Sequence, residues 1–427
     1  MRVCTTYGTP SHLREGSAMH EIRLDVFDRV PEGIGENDVI TLCGKDPDII
    51  PKGFKGLVDT GEHEIDLPFR KIRSIHDFER TPHSREIVSM LSRGDQEVSK
   101  GAFMASSFSD LHSIYTAAQS LDRKHVILGM GATGAVTRIR QKILRNEFTF
   151  GYADKPTAPG QFHSDEMESF GDDCTIVGIT GNPLGHSLSP GMQNAAIKKA
   201  GLNAVYLTFA SPDLIDMKDV VKEYEIRGLN VTIPYKQDVI VHLDSLSQRA
   251  EDIGAVNTVI NDDGTLRGEN TDVDGIKYAF SSVCPDAKGM KVLIMGSGGA
   301  ARAAAYTFLD MGCKVSVCGR NKETVRKLCD ELGPEIDNDT VQSYDAIVNC
   351  TPIGLVDGEY PVDINEMSDS AIVFDMVYGR ETPLTACARS KGCRMADGKD
   401  MLIGQGMESF RLWFGKEPDA SAMKGAL

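Results

Sequence analysis

Short apolar runs recur at fairly regular spacing through the first 154 residues of this 427-residue chain. Helix-like patterns lie between several of eight runs that have the composition of strands: RVCTTYG, HEIRLDVF, DVITLCG, GLVDTG, KIRSIHDF, VSKGAFMA, HVILGMG and FTFGYAD. Strands interleaved with helices predict an α/β fold, here a parallel (β/α)8 barrel. Because about 160 residues is short for a fold that usually needs about 200 or more, we expect abridged outer helices.

The alternation resumes after a polar, acidic stretch, FHSDEMESFGDD, which we interpret as the main linker. One α/β unit begins at TIVGITGN, and a second begins with KVLIMGSGGAARAAAYTFLDMGCKVSVCGRN. The second has the strand, glycine-rich turn, helix and strand of a nucleotide-binding βαβ unit. The amphipathic segment MLIGQGMESFRLWFG is predicted to return to the first unit. The predicted domains are a barrel (1–162), a linker (163–173), an α/β substrate domain (174–275 and 402–427) and a Rossmann domain (276–401).

Composition and charge exclude several classes of function. The formal charge of −16 argues against a nucleic-acid partner, since such proteins present basic faces. No apolar run approaches the roughly 18 residues of a membrane helix, and MRVCTTYGTP lacks a secretory pattern, so we expect a cytoplasmic protein without a membrane partner. The ten cysteines include no CxxC pair and no HExxH motif occurs, so no metal is expected.

The glycine-rich turn is a candidate dinucleotide site, because it follows a strand directly and opens a helix whose free N–H groups can face a pyrophosphate. Its candidate residues are Gly296, Ser297, Gly298, Gly299 and Ala300. An acidic residue ending the next strand would select NAD, but that strand ends in Gly319, Arg320, Asn321 and Lys322. A cationic turn suits a 2′-phosphate, which predicts NADP as the cofactor.

A lysine follows the strand-like run in NVTIPYKQD, where Pro234 stops the strand and Lys236 comes two residues later. On spacing alone, such a lysine simply marks the return of the chain to water.

The segment from Thr175 to Gly415 resembles shikimate dehydrogenase. The matching motifs occur in order: GNPLGHSLSP, GLNVTIPYK, GAVNTV, GENTDVDG, GSGGAARA, NCTPIGL, DMVYGRETPL and DGKDMLIGQG. The resemblance implies NADPH-dependent reduction of 3-dehydroshikimate to shikimate, with Lys236 and Asp272 as catalytic residues. It also implies a set of substrate-binding residues: Ser187, Ser189, Thr232, Asn257, Tyr378 and Gln405.

A second lysine, Lys100, opens the apolar strand SKGAFMA. If its amine points into the mouth of a barrel, we expect desolvation to lower its pKa, and a neutral lysine can form a Schiff base with a ketone. An edge lysine that reaches water is the competing interpretation.

The segment from Arg2 to Gln161 resembles type I 3-dehydroquinate dehydratase. The resemblance rests on HEIRLD, SIHDFERTP, SKGAFMA, GMGATGAVTR and TAPGQ, in that order. It implies a Schiff base on Lys100 and proton transfer by His76. The implied substrate-binding residues are Glu21, Arg23, Arg138, Thr157 and Gln161.

Two departures from that family stand in the barrel segment. In that family the third strand usually ends in a substrate-binding arginine, where this chain has Cys43 or Gly44. The stretch KDPDIIPKG also lacks the EGG-like sequence that carries the acidic partner of the family's histidine. The sequence thus predicts a bifunctional shikimate-pathway enzyme acting on small-molecule substrates, with a homo-oligomer left open. The alternatives are a dehydrogenase with a degenerate barrel, and a ligand-sensing regulator built from the same folds.

Overall fold

The structure, a computed structural model, describes residues 1–10, 12–337, 340–356 and 358–427. The chain folds into two compact units. The first contains Met1–Gly185 and Asn203–Arg227, and the second contains His186–Leu202 and Gly228–Leu427. Within the described residues, no helix combines the length and apolar character needed to cross a membrane.

All eight predicted barrel strands form in the first unit: β1 (Val3–Thr6), β2 (His20–Arg23), β3 (Val39–Thr41), β4 (Leu57–Asp59), β5 (Arg70–Asp77), β6 (Val98–Met104), β7 (His125–Met130) and β8 (Thr149–Tyr152). They are parallel, in the order β7-β6-β5-β4-β3-β2-β1-β8. Between β7 and β8, Asn146 donates to the Ile127 carbonyl at 2.9 Å and accepts from its N–H at 2.8 Å. The Glu147 N–H also donates to the His125 carbonyl at 3.0 Å, so the predicted barrel is confirmed and nearly closed.

The outer layer of the barrel is abridged, as its length predicts. In the described residues between β1 and β5, the only helix is one 3₁₀ turn (Pro47–Ile49). The α-helices that follow are α1 (Ser84–Leu91), α2 (Phe108–Ser120), α3 (Gly131–Gly134), α4 (Val136–Ile139) and α5 (Ser164–Phe170). Apolar side chains on or beside every strand still form one buried core: Cys4, Met19, Val39, Leu57, Ile72, Val98, Val126, Leu128, Phe148 and Phe150.

Most of the acidic stretch interpreted as a linker is the helix α5. It buries Met167 and Phe170 and is capped by His163, whose ring accepts from the Asp165 N–H. Arg14, close to the barrel strands β1 and β2, forms ion pairs with Asp165 and Glu168. This stretch is therefore ordered structure packed on the barrel, and the domain boundaries drawn from the sequence stay a prediction.

The first unit also holds two parallel strands, β9 (Thr175–Gly181) and β10 (Ala204–Ala210), which the sequence assigns to the substrate domain. The chain between them includes α6 (Ser189–Lys199) of the second unit, and α7 (Met217–Glu223) follows β10. Phe209 stacks on Phe108 of α2, with ring centroids 6.2 Å apart. Arg140, buried beyond α4, donates to the carbonyls of Cys174, Tyr224 and Glu225 at 2.8 to 3.1 Å. These contacts attach this segment firmly to the barrel.

The second unit begins with a mixed sheet and its helices: β11 (Ile226–Val231, which starts in the first unit), β12 (Ser245–Leu246), α8 (Gln248–Ile253), β13 (Thr258–Asp262), β14 (Thr265–Glu269) and α9 (Asp272–Ser281). Strand β13 pairs antiparallel with β11 and β14, and β12 pairs parallel with β14. Because α9 starts where β14 ends, the acidic residue Asp272 comes to lie at the head of a helix.

The predicted Rossmann arrangement is confirmed by a six-stranded parallel sheet. Its elements are β15 (Lys291–Met295), α10 (Gly299–Asp310), β16 (Lys314–Cys318), α11 (Lys322–Leu332), β17 (Glu335–Ile336), β18 (Ala346–Asn349), β19 (Ile372–Asp375), α12 (Pro383–Lys391) and β20 (Arg394–Asp397). The order β17-β16-β15-β18-β19-β20 reverses direction at β15, which is the switch point of dinucleotide-binding sheets. Two helices end the chain, α13 (Gly398–Phe414) and α14 (Ala420–Gly425), and α13 packs on α9.

Candidate active sites

The first site, in the second unit, centres on Lys236. Beyond β11 a short turn, closed by the Tyr235 N–H bonding to the Thr232 carbonyl, carries the chain to this lysine. Its ammonium donates to Asp272 Oδ2 at 2.5 Å, and the two side chains are 14% and 4% exposed. The structure thus brings together the lysine and the aspartate that the motifs single out. Because Lys236 is largely buried and paired with Asp272, it is not a surface lysine that only marks the return of the chain to water.

Asn257 holds the other oxygen of the same carboxylate. Its Nδ2 donates to Asp272 Oδ1 at 2.8 Å, while its Oδ1 accepts from the Thr271 N–H at 2.7 Å. Asn257 is only 2% exposed. The carboxylate is therefore fixed from both sides, by an amide at one oxygen and by an ammonium at the other.

The other predicted substrate residues come from different parts of the second unit. Ser189 begins α6 and is buried, and its N–H donates to the Ser187 hydroxyl at 3.4 Å. Gln405 is buried on α13 and donates to the Leu402 carbonyl at 2.9 Å. Burial raises the pKa of Tyr378, which keeps its hydroxyl protonated as a hydrogen-bond donor. Their contacts with a substrate stay a prediction, as does that of Thr232.

The glycine-rich turn lies directly against Lys236. A Cβ built on Gly299, the first residue of α10, would come within 2.8 Å of the Lys236 Cβ. Gly296 has φ +121°, a conformation that favours glycine, whereas nothing lies within 4 Å of a Cβ placed on Gly298. The turn therefore has no room for a side chain at Gly299, beside Lys236, whereas the space around Gly298 is open.

The end of β16 carries the residues predicted to select the cofactor. Arg320 is exposed, and Lys322 is the first residue of α11. The side-chain oxygen of Asn321 accepts the N–H groups of Glu323 and Thr324 at 3.0 and 3.2 Å, so it caps α11. The cap occupies the oxygen of Asn321 and leaves its NH₂ group as a donor, so this amide and the neighbouring cations are the groups that a 2′-phosphate could bind.

The second site is a pocket of about 250 Å³ in the barrel of the first unit. It brings together every residue that the sequence predicts for a barrel site: Glu21, Arg23, His76, Lys100, Arg138, Thr157 and Gln161. Cys43 and Phe78 also line it. Seven residues spread over 141 positions converge because the barrel strands are parallel and present the same end.

The state of Lys100 differs from the sequence-based expectation. Burial alone would lower the pKa of Lys100, but the carboxylates of Asp59 and Glu21 outweigh burial and raise it. The ammonium lies 3.1 Å from Asp59 and 3.9 Å from Glu21, and 4.4 Å from the centre of the Phe150 ring. The expected lowering of its pKa is therefore wrong, and Lys100 rests as a cation.

His76 has the opposite balance. Although His76 is exposed at the edge of the pocket, desolvation on the pocket side, followed by the positive charge of Lys100, lowers the pKa of His76 to about 4. Its imidazole stacks on the exposed ring of Phe78, with centroids 6.1 Å apart. The histidine is thus neutral at neutral pH and has a free lone pair, as a proton acceptor requires.

Two arginines in the pocket differ in how they are paired. Arg138 is 2% exposed, bonds only to the Phe150 carbonyl at 3.4 Å among the described residues, and burial lowers its pKa to about 10. Arg23 instead donates to both oxygens of Asp25, at 3.1 and 2.7 Å. A buried cation without an acidic partner suits an anionic ligand, so Arg138 is the better candidate for binding a carboxylate.

The remaining predicted barrel residues order a loop. Gln161 Oε1 accepts from the N–H and hydroxyl of Thr157 and from the N–H of Ala158, at 2.7 to 3.1 Å. Gln161 lines the pocket, and with its oxygen occupied its NH₂ group is left as a donor.

Sequence reasoning missed Asp59, which the structure buries completely beside Lys100. Its carboxylate also accepts from the Ser74 hydroxyl at 2.6 Å and the Gly61 N–H at 3.0 Å. The pKa of Asp59 is lowered, because the charge of Lys100 and these hydrogen bonds outweigh its burial. Its position at the end of the predicted strand GLVDTG was the available signal.

Comparison with known proteins identifies families for both parts of the chain. Residues 179–259 match the shikimate dehydrogenase substrate binding domain, and residues 398–427 match the shikimate 5′-dehydrogenase C-terminal domain. Residues 62–171 match type I 3-dehydroquinase, a range that includes His76, Lys100 and Arg138.

The dehydrogenase part of this chain aligns with almost the full length of its relatives. The NADP(+) shikimate dehydrogenase of Aquifex aeolicus is 38% identical over 252 residues, which make up 57% of this chain and 92% of that protein. That of Pyrococcus furiosus is 41% identical over 256 residues, 58% of this chain and 93% of the relative. A solved shikimate 5-dehydrogenase from Thermus thermophilus, in complex with NADP(H) and shikimate, aligns over 59% of this chain and 98% of its own, with 34% identity and a TM-score of 0.55. The chain therefore belongs to the shikimate dehydrogenase family, and a type I 3-dehydroquinase domain precedes its dehydrogenase part.

Proposed function

We propose that this chain catalyses two consecutive reactions. The barrel dehydrates 3-dehydroquinate to 3-dehydroshikimate through a Schiff base on Lys100, and the second unit reduces that product to shikimate with NADPH. The observation that carries the proposal is that each unit holds a lysine, at the position that the resemblance to its family implies, beside a buried aspartate.

In the barrel, Arg138 binds the substrate carboxylate and leaves the ketone near Lys100. Lys100 must first pass its proton to water; its amine then attacks the C3 ketone, one water leaves as the imine forms, and the imine nitrogen takes up a proton. The carboxylates of Asp59 and Glu21 keep the imine protonated, and the positive charge of the imine makes the neighbouring C2 proton more acidic. His76 accepts that proton and assists loss of the C1 hydroxyl as a second water. Hydrolysis of the imine consumes one water and releases 3-dehydroshikimate.

The residues of the second unit fit an NADP site. The turn is open at Gly298, the twelve-residue helix α10 directs its N-terminus there, and Arg320 is exposed nearby in sequence at the end of β16. When bound, the reduced nicotinamide supplies the hydride for the carbonyl carbon. Substituting Arg320 by Ala should reduce the preference for NADPH over NADH about tenfold to a hundredfold, because a charge-assisted hydrogen bond is lost. Equal kcat/KM ratios for wild type and variant would refute this role.

Lys236 then provides the charge and the proton that the carbonyl oxygen needs. Its ammonium donates to the oxygen, stabilises the developing alkoxide and transfers a proton to it. Asp272 keeps the ammonium aimed at this point, while the hydroxyls of Ser187, Ser189 and Thr232 bind the substrate carboxylate and Gln405 contacts a ring hydroxyl.

One assay tests both halves. The purified chain receives 3-dehydroquinate and NADPH together, and nicotinamide absorbance is followed. Steady oxidation of NADPH requires both activities, whereas oxidation with 3-dehydroshikimate alone means that the barrel is silent. Treatment with borohydride in the presence of 3-dehydroquinate should add the mass of a reduced adduct at Lys100, and an unmodified Lys100 would refute the Schiff base.

A dehydrogenase with an inactive barrel is the second candidate. It is favoured by the pairing of Arg23 with Asp25 and by Cys43 in the place of the family's arginine, because both reduce the positive charge available to the substrate. The assay above separates the two candidates.

A further inference from the structure

Three hydroxyl groups form a fully buried cluster beneath the Lys236–Asp272 pair. They belong to Thr258 on β13, to Thr271 just before α9 and to Ser409 on α13, and all three residues are 0% exposed. The hydroxyl oxygens lie 2.9 to 3.1 Å from one another. We call this set the hydroxyl cluster.

The cluster adjoins the amide of Asn257. The hydroxyls of Thr271 and Thr258 lie 3.1 and 3.2 Å from Asn257 Oδ1, which also accepts the Thr271 N–H. Since a backbone N–H can only donate, the side-chain oxygen of Asn257 must face the cluster. Its Nδ2 must therefore face Asp272.

The donors and acceptors around Ser409 fix the direction of its hydrogen bonds. Its hydrogen is directed to the Gln405 carbonyl at 3.0 Å, which can only accept. Its lone pairs then accept the Asn230 amide at 2.9 Å and one threonine hydroxyl, so the other threonine hydroxyl donates either to Asn257 Oδ1 or to the first threonine.

A close helix crossing brings the cluster together. A Cβ on Gly275 of α9 would lie 2.5 Å from the Met401 carbonyl of α13, and a Cβ on Gly404 would lie 3.0 Å from the Gly275 Cα. The two helices approach this closely because glycines lie at the contact. Ser409, little more than one turn beyond Gly404, thereby reaches Thr271.

We propose that Ser409 and Thr258 are positioning residues of the dehydrogenase site. They hold the Asn257 amide so that it fixes Asp272 Oδ1, which leaves Oδ2 to aim the ammonium of Lys236. This inference rests on the proposed function. It predicts an effect mainly on the rate of the chemical step, because the three hydroxyls are fully buried and act through Asn257 on the direction of Asp272.

The test compares two variants at one position in the full-length chain. Thr258→Val keeps the shape of the side chain and removes the hydroxyl, whereas Thr258→Ser keeps the hydroxyl and removes a methyl group. With shikimate and NADP⁺, we expect kcat of Thr258→Val to fall about tenfold, KM for shikimate to stay within about twofold, and Thr258→Ser to restore kcat. Ser409→Ala should resemble Thr258→Val.

Thr307 supplies a matched control. It is fully buried in α10 and its hydroxyl donates to the Ala303 carbonyl four residues earlier at 2.7 Å, as the Ser409 hydroxyl does to Gln405. Thr307→Val should lower the unfolding temperature comparably and leave kcat unchanged.

The inference is overturned if Thr258→Val and Thr258→Ser have equal kcat, or if kcat in each variant merely follows its unfolding temperature. If Ser409→Ala fails to fold, the Thr258 pair decides the question by itself. A wild-type protein that does not oxidise shikimate with NADP⁺ would refute the proposed function instead, before any variant is compared.

Discussion

The two lysines of this protein have similar partners and opposite requirements. Lys100 is enclosed in the barrel, 9% exposed, with two carboxylates within 4 Å. Lys236 lies beyond the end of a strand, 14% exposed, with one carboxylate at 2.5 Å. Under the proposed function, Lys100 must lose its proton to attack carbon, whereas Lys236 must hold a proton until an alkoxide receives it.

The comparison shows that a carboxylate beside a lysine does not reveal its role. At Lys236 the carboxylate serves the resting ammonium directly. At Lys100 the carboxylates oppose formation of the free amine, and we infer that their benefit comes later, when the protonated imine carries the charge. The neutral imidazole of His76 is the chemical difference between the two sites, since no histidine is predicted to act beside Lys236.

The largest expected effect comes from Lys100→Ala. Removing the covalent nucleophile should abolish dehydration of 3-dehydroquinate, a loss of about 10⁴-fold or more. Reduction of 3-dehydroshikimate should be unchanged, since Lys100 belongs to the other unit. Separate assays with each substrate measure both rates, and residual dehydration within tenfold of wild type would refute covalent catalysis.

Lys236→Ala is the reciprocal experiment. Loss of a positioned general acid should lower kcat for reduction of 3-dehydroshikimate about 10²- to 10⁴-fold. Dehydration and borohydride trapping at Lys100 should persist. If both activities fell together, the two sites would not be independent and the comparison would fail.

Asp59→Asn tests whether a carboxylate serves the imine. The substitution keeps the shape but removes the charge 3.1 Å from Lys100, so kcat for dehydration should fall about a hundredfold because the protonated imine loses stabilisation. Thermal unfolding controls for disruption of the buried contact with Ser74. A faster reaction in Asp59→Asn would mean that release of the lysine proton limits the rate.

Gly299→Ala examines the contact between the glycine-rich turn and Lys236. The added methyl would overlap the lysine side chain, so we expect kcat of the dehydrogenase to fall about fivefold to a hundredfold. Gly425→Ala, at a helical position where nothing lies within 4 Å, is the control. Equal activity of the two variants would show that the close contact between Gly299 and Lys236 does not affect catalysis.

The smallest expected effect concerns pH. With the pKa of His76 lowered to about 4, the free base persists in mild acid, so about 90% of the His76 imidazole should stay neutral at pH 5. A histidine with an ordinary pKa of about 6.5 would be only about 3% neutral at that pH. An NMR titration of the His76 ring measures this, because kcat/KM for dehydration also falls in acid as Lys100 holds its proton more completely; a ring that titrates near pH 6.5 would contradict the lowered pKa.

Much of the fold followed from local patterns. The eight barrel strands and the Rossmann βαβ unit were predictable because buried parallel strands are short apolar runs bounded by turns, and a glycine-rich turn marks the start of α10. The acidic stretch 162–173 misled for the same reason: its charge resembles a linker, but its acidic residues face outward from α5 while Met167 and Phe170 pack inward. Local composition does not show which side of a helix will find a partner.

By itself, the sequence determined which lysines, histidine and arginine are candidates for the chemistry, since they stand at strand ends and within ordered motifs. Only the tertiary structure decided their charge and direction. The raised pKa of Lys100 depends on Asp59, 41 residues earlier, and the aim of Lys236 depends on Asp272, Asn257 and the hydroxyl cluster, which reaches Ser409 near the end of the chain. The reason is physical: a pKa and a hydrogen-bond direction are set by charges and donors a few ångströms away, and the folded chain draws these from distant positions.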